Sequence, residues 1–344
     1  MSAPQGQVTP DRIVTATTLR DTPDNVDRFV RRTLGSGVDH AIVFLDADQP
    51  KVRAALEANP HVTVVRTGKD YWLGDRPSVV LDRQMANASV AAAALAEVPS
   101  VRWVFNIDGD EVLDIDRAAL ARIETDAVRL GTLEAVAKRK WRRSEPEMFK
   151  RVPSSNELHA LSALKLIDAP EISAFFRGHS LGKVGVRPGA DVRFRLHTAY
   201  RLPEVEIEET VQEDMHLLHL ESWCLADFVS RWQGYRADRP KHRPHRDERL
   251  GAAYSLIDGD TSIGAAERDK RLGELFDRLV ADDRAVLKRF DLQVRVRRRE
   301  VAPRPLDRSD VAALEAALAR IGAESKEGYR PTVLEAEQKA ASAV

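Results

Sequence analysis

Within residues 102–116, RWVFNIDGDEVLDID, the first three of five acidic residues follow directly after an apolar run. Asp108, Asp110 and Glu111 lie within four positions of one another, and Gly109 separates the two aspartates. Like charges this close repel one another unless a cation, a cationic side chain or bulk water offsets them. Carboxylate oxygens are ligands that Mg²⁺ and Mn²⁺ prefer, and such an ion can bridge to the phosphate oxygens of a nucleotide. One interpretation is therefore a metal–diphosphate site.

Three other interpretations of the acidic segment are weaker or less specific. An EF-hand loop starting at Asn106 requires glycine at its sixth position, where this chain has Glu111. A haloacid-dehalogenase-type phosphatase needs an aspartate where Asn106 stands and a threonine that is absent here. A solvated acidic turn stays open as an alternative, because Asp and Gly are common turn residues.

A regular alternation of strands and helices leads to the acidic segment. Apolar, β-branched runs predict strands at 12–19, 40–48, 61–67 and 101–107, and apolar residues at helical spacing predict helices at 24–37, 49–59 and 78–97. This order indicates an α/β unit with a mainly parallel sheet. Ligands of such sheets bind beyond the carboxyl ends of the strands. The loops 46–48 and 108–111 are therefore expected at one edge.

Beyond about residue 130 the alternation stops. Further strands are predicted at 133–141, 161–167, 182–186 and 191–197, and further helices at 222–236, at 264–290 and from a cap at Ser309 to Ile321. The strands suggest a mixed extension of the sheet. The predicted organisation is a disordered leader at 1–10, an α/β domain at 11–221, a helical region at 222–322 and a disordered tail at 323–344.

Composition narrows the class of protein. The 344 residues carry a net charge of −1, which argues against nucleic acid as the main partner. The single cysteine, Cys224, allows no intrachain disulfide, so the cytoplasm is the default location. No apolar run approaches the roughly 20 residues that span a bilayer. The basic loop 236–249 leaves peripheral contact with an anionic membrane surface as an open alternative.

Several segments resemble one enzyme family in order along the chain. WVFNIDGDEVL resembles the D-x-D-E segment of glycosyltransferase family 2-like enzymes, which have a GT-A fold. Residues 15–48 resemble the family's first strand, helix and second strand, LDRQMANASVAAAAL its third-helix segment, and RFRLHTAYR and DMHLLHLESWCLADFVSRW its later parts. The resemblance covers about 12–236. It implies a GT-A-type nucleotide-binding α/β/α sandwich with a mixed central sheet and a C-terminal helical extension.

The resemblance also implies a reaction. It is transfer of a sugar from a nucleotide-sugar, with UDP-sugar preferred, to a hydroxyl of a glycan, lipid-linked or small-molecule acceptor, with inversion. The cofactor would be Mn²⁺ or Mg²⁺, which screens the charge of the leaving diphosphate. Asp110 is the expected direct metal ligand, and Asp108 a ribose or second metal contact. His219 is the first candidate to complete the metal site, and His197 the second.

The remaining site residues are carried over from the family in the same way. The nucleotide would contact the first and second strand ends and one arginine, namely Thr17, Arg20, Asp21, Asp46, Asp48 and Arg83. Asp214 is the first candidate for the base that takes the acceptor's proton, and Glu213 the next. On a helix His216 and His219 would share a face, whereas on a strand they would point to opposite faces.

Two further functions stay open as alternatives. A sugar-phosphate nucleotidyltransferase would also use a nucleotide-binding α/β unit, but it needs a Gly-rich stretch that TATTLRDTPDN lacks. A non-catalytic nucleotide- or carbohydrate-binding protein on the same fold would not need the D-x-D acids, which are intact here. The intact acids favour an enzyme.

Overall fold

The computed structural model describes residues 11–331 except 143, 144, 238–247 and 298. The predicted leader and residues 332–344 of the predicted tail lie outside the described residues, as does most of the basic loop. Residues 323–331, also assigned to the tail, include a short 3₁₀ helix at Glu327–Tyr329. Among the described residues, no helix is both long and apolar enough to cross a bilayer.

The chain folds into alternating elements up to β4 and then into a less regular set. The first group is β1 (Arg12–Leu19), α1 (Pro23–Leu34), β2 (His40–Leu45), α2 (Pro50–Glu57), β3 (Val62–Arg66), α3 (Lys69–Trp72), α4 (Val80–Leu95), β4 (Val101–Asn106), β5 (Glu111–Asp114), α5 (Arg117–Ala121) and β6 (Ala127–Ala135). The second is β7 (Met148–Arg151), α6 (Ser155–Ala163), β8 (Lys183–Val186), β9 (Val192–Phe194), β10 (Ala199–Arg201), β11 (Val205–Glu206), β12 (Glu209–His219), α7 (Leu225–Ala237), α8 (Glu248–Gly259), α9 (Ala265–Leu279), α10 (Arg284–Arg289), β13 (Gln293–Arg295) and α11 (Arg308–Gly322).

The described residues form two compact units. The first comprises 11–131, 181–217 and 299–331, and the second comprises the described parts of 132–180 and 218–297. The sequence analysis placed 222–322 in one helical region, whereas 299–322 belong to the first unit. An amphipathic pattern predicts that α11 is half-buried, but it does not specify which surface the helix covers.

The first unit is built on a mixed sheet. β4, β1, β2 and β3 are parallel neighbours in that order, and β8 pairs antiparallel with β4. The first part of β6 is antiparallel to β8. The predicted α/β class with a mixed sheet is confirmed. Because β2 and β4 both flank β1 in parallel, the loops that follow them lie at one edge, as predicted.

Helices cover both faces of this sheet. On one face α4 and α11 pack against β1, β2 and β4, and every residue of α4 from Met85 to Leu95 is buried. On the other face α1 and α2 contribute Phe29, Leu34 and Leu56 to a second apolar cluster. Coverage on both faces explains why the parallel strands are apolar almost throughout.

Several predicted elements differ in the structure. The predicted strand 161–167 begins inside helix α6, whose start is a capping box between Ser154 and Glu157. The predicted strand 133–141 is displaced to β6, and the predicted helix 264–290 is two helices, the second capped by Asp283. α11 begins after Asp307 and not after Ser309. In each case a short apolar run did not distinguish strand from helix or locate the boundary.

The second unit has its own sheet and core. The end of β6, β7 and β13 are antiparallel neighbours. Helices α7, α8 and α9 enclose an apolar cluster in which Phe228 lies within 5.7 to 6.1 Å of the rings of Trp232, Tyr254 and Phe276. Such tilted and edge-on aromatic contacts are the favoured geometries.

Candidate functional site

The acidic segment forms a tight loop between β4 and β5 in the first unit. The Asp108 N–H donates to Glu111 Oε2 at 2.7 Å, and the Glu111 N–H donates to the Asp108 carbonyl at 3.1 Å. Glu111 is fully buried. A Cβ on Gly109 would lie 2.6 Å from Leu19 Cδ2, at the end of β1. Glycine therefore allows the close approach of this loop to β1, and a larger residue would have to displace the Leu19 side chain.

A cationic side chain offsets part of the loop's negative charge. Lys183, the first residue of β8, is 1% exposed, and its Nζ lies 3.1 Å from Asp108 Oδ2 and 3.7 Å from Glu111 Oε2. Burial alone would lower the pKa of Lys183, but the carboxylates of Asp108, Glu111 and Asp110 outweigh it and raise the pKa. Lys183 was not among the site residues predicted from the sequence. A charged residue inside the apolar strand KVGV was the signal that could have identified it.

The second carboxylate oxygen of Asp108 accepts a hydrogen bond from α4. Gln84, in the first turns of α4, donates from Nε2 to Asp108 Oδ1 at 2.7 Å. The next turn of α4 carries Asn87, which donates to Thr18 Oγ1 at 2.9 Å and accepts from the Tyr71 hydroxyl at 2.9 Å. These contacts make a polar lining where β1 and β4 end.

Arg83 forms a buried ion pair with Asp46. Its Nε and Nη2 donate to the two carboxylate oxygens of Asp46 at 2.8 and 2.6 Å, and both side chains are 6% exposed. Its Nη1 donates to the carbonyls of Pro77 and Ser78. These hydrogen bonds use four of the five N–H donors of the guanidinium, and a contact with the diphosphate is implied by the resemblance alone.

The second strand end forms the wall of a cavity. Asp46 also pairs with a second arginine: Arg76 Nη2 lies 2.8 Å from Asp46 Oδ1. Asp46 and Asp48 line a cavity of about 330 Å³ together with Arg53, Arg66 and Lys69. The two strand-end acids therefore lie in a mixed-charge recess beside the carboxyl ends of β2 and β3.

The residues predicted at the first strand end have different positions. Thr17 is a buried residue of β1, 2% exposed, on the face of the sheet that α1 covers. Asp21 is exposed and accepts hydrogen bonds from the Thr22 N–H and from Asn25 Nδ2, at the start of α1. Arg20 is exposed beside it. Asp21 therefore has a structural role in starting α1.

The proposed base lies on β12. Glu213 and Asp214 are exposed. The Asp116 N–H hydrogen-bonds the sulfur of Met215 at 3.3 Å, which places Asp214 beside Asp116. The six residues from Glu111 to Asp116 span about 16 Å when extended. This position argues against Asp214 as a base next to Asp110, so its assignment depends on the family resemblance alone.

The candidate histidines lie on a strand. β12 ends at His219, so His216 and His219 point to opposite faces. His216 Nδ1 lies 3.9 Å from Asp114 in the first unit. His197 Nδ1 lies 3.0 Å from the Gly182 carbonyl oxygen.

His219 belongs to the second unit, where it is 4% exposed. Its Nδ1 lies 3.7 Å from Glu134 Oε2, and its ring centroid lies 5.5 Å from that of His179. A Cβ on Gly178 would lie 1.8 Å from His219 Nδ1, so glycine is needed to accommodate the imidazole. Glu134 and His179, which sequence reasoning missed, therefore hold or border this histidine.

Glu134 is itself part of a buried ionic network. Lys150 lies 3.0 Å from Glu134 and 2.8 Å from Asp282, and the N–H groups of Arg177 and Gly178 also donate to Glu134. Burial alone would raise the pKa of Glu134. The ammonium of Lys150, the neighbouring His219 imidazole and the Gly178 N–H together outweigh burial and lower it.

The donor chemistry of the acidic loop fits a hard divalent cation in part. Carboxylate oxygens are the ligands that Mg²⁺ and Mn²⁺ prefer. Both oxygens of Asp108 already accept hydrogen bonds, from Gln84 and Lys183, and Glu111 Oε2 accepts one from the backbone. Asp110 is the third carboxylate of the loop, and its charge helps to raise the pKa of Lys183.

No protein-family model matches this chain, and no curated protein matches it in sequence. A function has to be inferred from the fold and from the geometry of the site.

Proposed function

We propose that the chain is a metal-dependent, inverting glycosyltransferase with a GT-A-type fold, which moves a sugar from a nucleotide-sugar, preferably a UDP-sugar, to an acceptor hydroxyl. The observation that carries the proposal is the position of the Asp-Gly-Asp-Glu segment. It follows β4 directly, at the carboxyl edge of four parallel strands. This edge is where open α/β sheets bind their ligands. The ordered resemblance to glycosyltransferase family 2-like segments supports the same conclusion.

Different residues at this edge would bind different parts of the donor. Asp48 and the cavity beside it would receive the nucleoside, because they follow β2, next to β1. Asp46, whose two oxygens accept from Arg83 and Arg76, would hold the wall of this cavity. Asp108 would contact the ribose, and Gly109 lets the ligand approach the backbone closely. Asp110 would hold the divalent cation, which supplies the positive charge that stabilises the leaving diphosphate.

The acceptor side of the reaction is less defined. An inverting transfer needs a carboxylate that removes the proton of the attacking hydroxyl. Asp214 and Glu213 remain the proposed bases on resemblance, although Asp214 lies beside Asp116. The acceptor would be a glycan, a lipid-linked sugar or a small molecule.

The experiment that tests the proposal is a thermal stability screen. The native chain is heated with each of a panel of nucleotides and nucleotide-sugars, with and without Mn²⁺. A ligand that binds only the native state raises its stability by an amount set by its concentration relative to the dissociation constant. We expect a shift with UDP or a UDP-sugar that requires the metal.

Asp110→Asn tests the assignment of the acidic loop. This nearly isosteric change should abolish the metal-dependent shift while the protein stays folded. Asp27→Asn is the matched control, because Asp27 is exposed on α1 and only paired with Arg31. A full Mn²⁺-dependent shift in Asp110→Asn, or no shift with any nucleotide in the native chain, would contradict the proposal.

A further inference from the structure

We propose that the first unit has a binding site for a phosphate group in a cavity between three arginines, at the edge of the sheet where β1 and β4 begin. The cavity measures about 210 Å³ and is lined by Arg102, Arg117 and Arg304. Because β1 and β4 are parallel, it lies at the opposite end of these strands from the acidic loop. The cavity would bind phosphate whether or not the chain is a glycosyltransferase.

The rest of the cavity wall is mostly apolar. β1 and β4 contribute Ile13 and Trp103, and α5 contributes alanine and leucine side chains, among them Ala118. Asp11 is the one acid among the described lining residues. The volume is well above the roughly 30 Å³ that one molecule occupies in liquid water, so the cavity has room for a small ion. Apolar walls lower the local dielectric constant and so strengthen the attraction between the guanidinium groups and an anion.

Two of the arginines are fixed through one side of the guanidinium, which leaves the other side available. Arg117 donates from Nε to the Gly37 carbonyl at 2.8 Å and from Nη2 to Asp39 Oδ1 at 2.7 Å. Arg102 donates from Nη2 to two backbone carbonyls at the end of α5, at 3.1 and 2.7 Å. Within the part of the chain that the structure describes, Nη1 of neither arginine donates a hydrogen bond. Each Nη1 carries two N–H donors, so an oxyanion can be bound without breaking these contacts.

Fewer acids than arginines form ion pairs at this cavity. Asp39, which is fully buried, is shared between Arg117 at 2.7 Å and Arg304 at 2.8 Å. Asp11 pairs with Arg304 as well. Arg102 has no acidic partner among the described residues, because its hydrogen bonds go to carbonyl oxygens. The arginines are therefore held close together with positive charge that their ion pairs do not offset.

The pKa of Arg117 agrees with this excess of positive charge. Burial lowers the pKa, and the charges of Arg304 and Arg12 act in the same direction, against the effect of Asp39. An anion in the cavity would relieve the repulsion. The planar guanidinium matches both phosphate and carboxylate oxygens. Phosphate fits better here, because its several oxygens can accept from three guanidinium groups at once, whereas a carboxylate has two oxygens.

The test measures binding of inorganic phosphate to the full chain by titration calorimetry, at constant ionic strength and without nucleotide or Mn²⁺. The native chain should bind one phosphate. Arg102→Gln removes one guanidinium and should weaken binding about tenfold or more. Arg122→Gln, an exposed change at the end of α5 outside the cavity lining, should bind as the native chain does. No binding by the native chain, or equal affinities in the native chain and Arg102→Gln, would overturn the proposal.

A second pair of variants keeps every arginine and so does not depend on Arg102→Gln folding. Ala118 lines the cavity and is exposed. Ala118→Glu places a carboxylate beside the arginines and should compete with phosphate, whereas Ala118→Gln adds a side chain of the same size without the charge. Phosphate should bind Ala118→Gln about tenfold or more tightly than Ala118→Glu. Equal affinities of these two variants would contradict a site built on positive charge.

Two further titrations identify the place and the source of the phosphate. Arg66→Gln changes the lining of the cavity beside β2 and β3 and should leave phosphate binding unchanged. Loss of binding in Arg66→Gln but not in Arg102→Gln would move the phosphate to the edge where the donor would bind and overturn the proposal. Glycerol 3-phosphate that binds as tightly as inorganic phosphate, and depends on Arg102 in the same way, would identify the ligand as a phosphomonoester. Binding of inorganic phosphate alone would identify it as the free ion.

Discussion

Arg83 and Asp46 form a buried, two-pronged ion pair at the edge of the first unit's sheet, with Nε–Oδ1 and Nη2–Oδ2 distances of 2.8 and 2.6 Å. The pair joins α4 to the end of β2. A guanidinium matches a carboxylate through two parallel hydrogen bonds, which an ammonium cannot reproduce. The Arg83–Asp46 ion pair therefore has a structural role at the edge of the sheet where the donor would bind.

Substitution of Arg83 by lysine should reveal that role. Arg83→Lys keeps the charge but loses one arm of the pair and the contacts to two carbonyls, so the free energy of unfolding should fall by about 2 kcal/mol. Urea denaturation measures the change. Arg31→Lys, at an exposed pair on α1, should change stability by less than about 0.5 kcal/mol. Equal losses of stability at the two sites would show that the Arg83–Asp46 pair contributes no more than an exposed ion pair.

Gly178→Ala should destabilise the second unit through His219. The new Cβ would lie 1.8 Å from the imidazole, so the ring has to move, at a cost of about 1–3 kcal/mol. Removal of the ring in Gly178→Ala/His219→Ala should recover most of that cost, which a double-mutant cycle in urea measures. Gly131→Ala, where a Cβ meets nothing within 4 Å, is the control. Strictly additive effects at 178 and 219 would rule out the clash.

Lys150→Met should be among the most damaging single changes in the second unit. Lys150 is 1% exposed and lies between Glu134 and Asp282, so its loss leaves two carboxylates without their shared cation. Breaking a buried pair in this way costs about 3–5 kcal/mol. Chemical denaturation should show this loss, and Lys270→Met, on the exposed face of α9, should stay within about 0.5 kcal/mol. A loss below about 1 kcal/mol at Lys150 would mean that the network relaxes freely.

Glu157 should contribute a pH-dependent part of the stability. Hydrogen bonds from Arg151, and then from the Ser154 N–H, lower its pKa from 4.5 to about 2. Because the folded pKa is below the unfolded one, the contribution is present above the unfolded pKa and is lost as pH falls through the folded pKa. The difference in unfolding free energy between the native chain and Glu157→Gln should therefore shrink between about pH 5 and pH 2.

The same pH series on an Arg151→Met background supplies the control for Glu157. Removing the arginine removes the main cause of the lowered pKa, so the effect of Glu157→Gln should then depend much less on pH. A pH dependence that survives in Arg151→Met would assign the effect to another carboxylate.

The sequence by itself determined the α/β core of the first unit. The strands β1 to β4 and helices α1, α2 and α4 lie within a few residues of their predicted positions, because their apolar periodicity is long and unambiguous. The shared edge of the loops after β2 and β4 also followed, since parallel strands in one sheet end on the same side. Short apolar runs such as 161–167 did not show whether they form a strand or a helix. The capping box at Ser154 and Glu157 starts helix α6 there.

Only the tertiary structure decided which charged groups meet. Lys183 is 75 residues from Asp108 in the chain, Arg83 is 37 from Asp46, and Lys150 is 132 from Asp282. No spacing rule links residues so far apart. Their pairing depends on the order of strands in the sheet and on how the helices and strands pack, and the local sequence of each element specifies neither. The acidic loop was visible in the sequence, but the cation that the chain places beside it was not.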